Sequence, residues 1–226
     1  MDDFRLSSMR FLFRGAYCLP LRARPIMRVS PSPNRRARRV RSNGNQFVLP
    51  EIRSIPIFMY KEKVMIQNGI CCFTGHRDFE RTVTNRQMLI FQKLVDNLIG
   101  YGYTTFVAGG ALGFDTVAAE YIIKKRAEGC NVRLELVLPC ADQDARWGFM
   151  QKRRYKKMLK AADSIECLHE RYIDGCMQER NRRMVDKSSA CVAFCTQNYG
   201  GTAGTVRYAR KRGVAVYNVA EMDKNL

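Results

Sequence analysis

A chain of 226 residues is long enough for one α/β core with an appendage, and 46% hydrophobic with 10% aromatic residues excludes a wholly disordered chain. No run of about 18 apolar residues occurs, so no segment reads as a membrane-spanning helix. The formal charge is +18, but residues 1–64 carry 14 of the 39 Lys and Arg and only 4 of the 21 Asp and Glu. More than half of the excess thus sits in less than a third of the chain, and bulk charge is a poor guide to what the folded part binds.

Residues 1–64 differ in character from residues 65–226. Pro31 to Ser42 holds Arg35, Arg36, Arg38, Arg39 and Arg41 among Pro and Asn, with no helical or alternating period. Such a stretch buries too little apolar surface to offset its ordering entropy. Met9 to Gly15 is apolar but broken by arginines, which makes a weak signal peptide. The segment reads as a basic N-terminal extension, either disordered or upstream of the true start at Met65; a targeting segment is the third reading. Residues 65–226 form the expected domain.

From Ile70 onward strands and helices alternate. The spacing predicts strands at Ile70–Thr74, Thr104–Ala108, Arg133–Leu138, Ser164–Leu168, Ala190–Cys195 and Val214–Asn218. It predicts helices over Asn85–Ile99, Phe114–Arg126, Gln151–Ala161, Met177–Lys187 and Thr202–Arg212. In the first helix Met88, Leu89, Phe91, Leu94, Val95 and Leu98 make an i, i+3, i+4 stripe. Apolar strands alternating with helices predict an α/β fold: a Rossmann-like three-layer sandwich, with a mainly parallel sheet and helices on both faces. Ligands of such sheets bind beyond the carboxyl ends of the strands, at a switch in strand order.

Nine cysteines are present, and several lie in apolar runs: Cys72, Cys191 and Cys195. The close pairs a zinc site needs are missing, so no metal site is expected. Buried free thiols in a reducing compartment, hence a cytoplasmic location, is the reading.

Three turns at predicted strand ends carry chemistry. Gly75, His76 and Arg77 leave the first strand; glycine permits close backbone approach and Arg77 can fork onto phosphate. Gly109, Gly110 and Gly113 lie between the second strand and a helix, where amides and the helix dipole attract an anion. Asp115 in that helix's first turn would repel an adjacent phosphate and suits a cap or a ribose hydroxyl. Glu120 lies further along the same helix. Gly200, Gly201 and Thr202 open the last long helix. Both glycine turns should open on the same edge and form one site, although each also fits a purely structural turn. Gln143 and Trp147 follow the third strand at that edge; Trp147 either stacks on a base or covers the core. Arg180 and Asn181 begin a basic run that is either a solvated face or a ligand contact.

Together, Thr74 to Arg77, Gly109 to Gly113 with Asp115 and Ala118-Ala119-Glu120, Gln143 with Trp147, Arg180-Asn181 with Asp186, and Gly200-Gly201-Thr202 resemble the YpsA-like branch of the SLOG superfamily, over about Cys71 to Asn218. The resemblance implies a Rossmann-like SLOG fold and a nucleotide-derived ligand. The superfamily also contains LOG-type phosphoribohydrolases and single-strand-binding DprA proteins. The LOG-type glutamate after the late glycine-threonine turn is missing here, where Val206, Arg207 and Tyr208 follow Thr205. Oxocarbenium-like glycosidic cleavage needs a nearby carboxylate.

The leading reading is therefore a cytosolic protein that binds a phosphate-bearing, nucleotide or ADP-ribose-like ligand as sensor or regulator. No other cofactor is assigned, and self-association stays open. One rival is a nucleotide N-glycosidase using Glu120 or Asp115. Another is a single-stranded nucleic-acid binder using the basic tail and Arg180 to Arg183.

Overall fold

A computed structural model describes residues 69–224. The expected extension over residues 1–64 and the start at Met65 lie outside the described residues. Along the described chain the elements are β1 (Gly69–Gly75), α1 (Phe79–Thr82), α2 (Asn85–Gly100), β2 (Tyr103–Ala108), α3 (Phe114–Ala127) and β3 (Arg133–Leu138). Then come α4 (Phe149–Ala161), β4 (Ser164–Cys167), α5 (Cys176–Asp186), β5 (Ala190–Phe194), α6 (Gly200–Lys211), β6 (Ala215–Asn218) and α7 (Val219–Lys224).

The six strands form one sheet in the order β4-β3-β2-β1-β5-β6, and every pairing is parallel. The direction of winding reverses between β1 and β5. Loops leaving these two strands diverge to opposite faces, which opens a crevice at the carboxyl edge.

Alternation along β1 builds the layers. Cys71 and Phe73 join the larger core with Phe91, Leu94, Phe106, Phe114 and Tyr155. Cys72, between them, joins a smaller core with Val137, Met184, Val185, Cys191 and Ala209. Successive strand side chains point to opposite faces. Hence α2, α3, α4 and α7 cover one face, and α5 and α6 the other, as the α/β sandwich requires.

Phe114, the first residue of α3, is the hub of the larger core. Its ring meets those of Phe73, Phe79, Phe91 and Phe194 at centroid distances of 5.0 to 6.3 Å. Each buried phenylalanine contributes about 1.5–3 kcal/mol by area. The cluster locks the start of α3 to β1, α1 and β5, so the loops at the carboxyl edge hang from a rigid point. At α2, Thr84 and Gln87 form a capping box: the Gln87 amide donates to Thr84 Oγ1 at 3.1 Å, and the Thr84 amide to Gln87 Oε1 at 3.0 Å.

The structure differs from the predicted elements in detail. Helices α1 and α7 have four and six residues, too few for a periodic stripe. Strand β4 is largely exposed rather than uniformly buried, because it is an edge paired only with β3. Among the described residues, no helix is long and apolar enough to cross a membrane, and no cluster of three metal-ligating side chains occurs. The described cysteines are free thiols; Cys72 and Cys191 are buried, whereas Cys195 is half-buried.

Candidate functional site

The turn after β1 is anchored from several sides. The His76 carbonyl accepts from the Phe114 amide at 3.2 Å, so a helix-end donor of α3 is satisfied by this loop. His76 Nε2 accepts from the Thr196 amide at 3.0 Å and lies 3.2 Å from Thr196 Oγ1. An accepting Nε2 carries no proton, which leaves the ring N–H on Nδ1. The imidazole therefore latches the loop after β1 to the loop after β5, across the switch point. A Cβ on Gly75 would strike Phe114, so this glycine packs against the core. Arg77 leaves the turn exposed, and no carboxylate among the described residues pairs with it.

The turn between β2 and α3 is filled by the protein itself. Arg180 reaches in from α5, and its guanidinium lies where a Cβ of residue 109 would stand. Arg180 Nη1 donates to Asp115 Oδ2 at 3.2 Å, with both side chains under one-tenth exposed. Asp115 Oδ2 also accepts from the Ala111 amide at 3.4 Å. Burial pushes the Asp115 carboxyl above its ordinary value, opposed by Arg180 and the backbone amides, and the same burial pulls the Arg180 guanidinium below its own. Arg180 Nε is buried with no partner.

Asp115 thus turns inward onto Arg180 and the Ala111 amide, whereas the sequence suggested an outward anion cradle with Asp115 as a cap or a ribose acceptor. A buried guanidinium demands a carboxylate, and Asp115 is the one in reach. Gly110 packs near Leu138 and Gln143, and Gly113 takes φ of +78° with its Cα against the backbone of His76 and Arg77. Only glycine fits there.

The segment from β3 to α4 supplies the open space. A hollow of about 600 Å³ is lined by Arg77, Leu112, Gln143, Arg146, Trp147 and Tyr172, among others. Gln143 Nε2 donates to the Gly110 carbonyl at 3.2 Å and to the Tyr155 hydroxyl at 2.9 Å, which fixes this loop to the β2–α3 turn. Trp147 stacks edge-on against Tyr155 at 5.2 Å, packs on the core and also lines the hollow. Arg146 is exposed beside it, with no carboxylate partner among the described residues. Asp142 is the one carboxylate in the lining. The Cys140 thiol also lines it and is pushed up to about 12 by burial and then by Asp142, which disfavours the thiolate at neutral pH. A smaller hollow of about 330 Å³ shares Arg77, Leu112 and Gln151 and adds Gly113 and Arg154.

The chain is similar to known proteins over most of the described residues. The YpsA model, described as the YspA SLOG family, matches residues 71–221. The chain belongs to this family. Its similarity to the SPbeta prophage-derived protein YoqJ of Bacillus subtilis is 33% identity over 120 residues, 47% of this chain and 69% of YoqJ. A UPF0398 protein of Halalkalibacterium halodurans is 27% identical over 125 residues, 54% of this chain and 66% of that protein. Among solved structures, DNA processing protein A from Helicobacter pylori, described for its single-stranded DNA binding mode, aligns with a TM-score of 0.49 at 21% identity, covering 69% of this chain and 67% of that one.

Within this SLOG fold the candidate residues do not meet in one pocket. Arg77, Gln143 and Trp147 share the larger hollow, and Arg77 and Gly113 the smaller. Asn181, Gly200 and Gly201 line a separate groove of about 510 Å³ between α5 and α6, which Thr202 does not line. Gly109, Asp115 and Arg180 form the buried clamp at the β2–α3 turn. Glu120 is exposed on the α3 surface, where Arg154 grips it through Nε at 2.9 Å and Nη2 at 2.8 Å while Nη1 holds Glu80. Neither Asp115 nor Glu120 lines either hollow. Sequence reasoning left Tyr172 and Gln151 out of the candidate set. Tyr172 lies between β4 and α5 with no motif around it; Gln151 caps the start of α4 by accepting from the Gly148 amide at 2.9 Å.

Proposed function

We propose that this SLOG protein binds a phosphate-bearing, nucleotide-like molecule in the hollow at the carboxyl edge of β1, β2 and β3, and acts as a sensor or regulator. One observation carries the reading. Two exposed guanidiniums, Arg77 and Arg146, border one hollow with Trp147 and Tyr172, and neither has a carboxylate partner among the described residues. The planar fork of an unpaired guanidinium donates to two oxygens of a phosphate, and the rings offer a surface for a base. Gln143, Asp142 and Leu112 line the same hollow and would meet sugar hydroxyls. A volume of about 600 Å³ falls within the usual size of a small-molecule site. ADP-ribose, NAD and nucleoside monophosphates are the ligands of choice for a first trial. The free thiols support a reducing, cytoplasmic setting.

Hydrolysis of an N-glycoside is the weaker reading. Asp115 is committed to Arg180, Glu120 is held by Arg154, and only Asp142 stands at the hollow as a carboxylate. A thermal-shift series separates binding from turnover. Nucleotides should raise the Tm and matched nucleosides without phosphate should not, with no base released over hours. Equal shifts for nucleoside and nucleotide would remove phosphate from the account.

A further inference from the structure

The groove between α5 and α6 lies apart from the nucleotide hollow, and its charge pattern is selective. Five exposed cations on these helices fall into two sets. Arg183 is paired with Glu166 at 2.7 Å and Arg210 with Glu221 at 3.2 Å. The groove's own cations, Arg182, Arg207 and Lys211, have no carboxylate partner among the described residues, and no carboxylate lines the groove. Arg207 bonds only a carbonyl, that of Asn198, at 2.7 Å. On α5 and α6 the exposed cations outside the groove are matched with acids and the three inside it are not, which leaves the groove open to an external anion.

The shape says what kind. Both helices start at the carboxyl edge and run back along the same face of the parallel sheet, so the groove is long. Arg207 and Lys211 stand one turn apart, about 6 Å, and from Gly201 at one end to Lys211 at the other is about 15 Å of helix. One phosphate cannot engage both ends. The lining is not only cationic: Gln178 and Asn181 carry amide donors and acceptors, and the Arg182 guanidinium lies over the Tyr208 ring at 5.8 Å. Guanidinium planes and aromatic faces are the surfaces on which unpaired bases stack, and amides read their edges.

We propose that the α5–α6 groove binds a run of phosphodiesters, the backbone of a single nucleic-acid strand. The forked donors of Arg182 and Arg207 take phosphate oxygens and Lys211 supplies the third charge. The glycine backbone of Gly200, Gly201 and Gly204 lets the strand lie close to α6. The groove shares no lining residue with the nucleotide hollow, so strand binding here does not depend on what that hollow holds.

The test is fluorescence anisotropy of the full chain with a labelled single-stranded oligonucleotide, across a salt series. Two double variants remove the same charge from the same helices: Arg182→Ala with Lys211→Ala, and Arg183→Ala with Arg210→Ala. The groove variant should weaken binding by about ten-fold or more and lower the salt slope by roughly 1.4, the value for two lost phosphate contacts on a single strand. The paired-cation variant should stay within about two-fold of the parent, and both should keep the parent's circular dichroism and Tm within a few degrees. Equal losses in the two variants would overturn the proposal, because the effect would then be bulk charge, including that of the basic extension. So would a parent that fails to bind at low salt, or a poly-glutamate peptide bound as tightly and with the same dependence on Arg182 and Lys211.

Discussion

Arg180 and Gly109 share one volume: the guanidinium of the first stands where any side chain on the second would have to go. The relationship ties α5 on one face of the sheet to the end of β2, and it recruits Asp115 as the charge partner. The β2–α3 turn is therefore held by its own buried ion pair. The open space lies instead in the adjoining hollow under Arg77, Arg146 and Trp147.

The clamp makes a stability prediction. Gly109→Ala forces Arg180 out and should cost about 1–3 kcal/mol as overpacking, more if the ion pair separates. Arg180→Met strands a buried carboxylate and should cost about 3–5 kcal/mol, while adding Asp115→Leu should restore much of that loss. Urea denaturation of the four proteins in the cycle checks this. Additive losses in the double variant would mean that the two side chains do not act as a pair.

The Asp115 shift carries a sign. Its folded carboxyl titrates above the ordinary carboxylate value, so the native state holds the proton more tightly than the unfolded chain. Its contribution to stability is greatest at low pH and declines as pH rises from the unfolded value through the folded one. Comparing pH-dependent unfolding of the parent with the Asp115→Leu, Arg180→Met protein isolates this slope. The parent should gain less stability on raising the pH through the acid range than the double variant does. A steeper gain in the parent would reverse the assignment.

His76 is a mechanical latch. His76→Leu removes the acceptor for the Thr196 amide, and hydrogen exchange of residues 195–199 should quicken by about ten-fold while the amides of β1 and β5 keep their protection. Unchanged exchange in that loop would show that the contact carries no strength.

Thiol chemistry should follow burial. Among the described cysteines, at pH 7.5 iodoacetamide should label exposed Cys167 first and leave Cys71, Cys72, Cys140, Cys176 and Cys191 unmodified in the native state. Peptide mass spectrometry reads the order. Rapid labelling of Cys140, whose thiol is pushed up to about 12, would mean that solvent in the hollow reaches that thiol freely.

The central strands are legible in the sequence because they are short, mostly apolar runs that stop at glycine, proline or a polar turn, as at Leu138-Pro139 and Ala108-Gly109. The Asn85 helix is legible from its stripe and its glycine stops. Family membership is legible from the ordered turns. Direction is what the sequence conceals. Arg180 sits in the run Arg180-Asn181-Arg182-Arg183, which reads as either a solvated face or a ligand contact, yet it is buried and paired with Asp115, 65 residues earlier. Local pattern carries no information on such a long-range partner. For the same reason the two glycine turns, similar in composition, differ in the folded chain: one is closed by a buried arginine and the other borders an open groove.

The central claim is that Arg77 and Arg146 hold the phosphate of a nucleotide-like ligand. Isothermal titration of ADP-ribose, NAD and nucleoside monophosphates into the parent and into the Arg77→Ala, Arg146→Ala protein tests it most directly. Saturable one-to-one binding of at least one phosphate-bearing compound is expected, weakened about 100-fold or more by the double variant, since each charged contact contributes about 1.5–3 kcal/mol. Binding of equal strength in the two proteins, or no heat from any of these compounds at millimolar concentration, would contradict it.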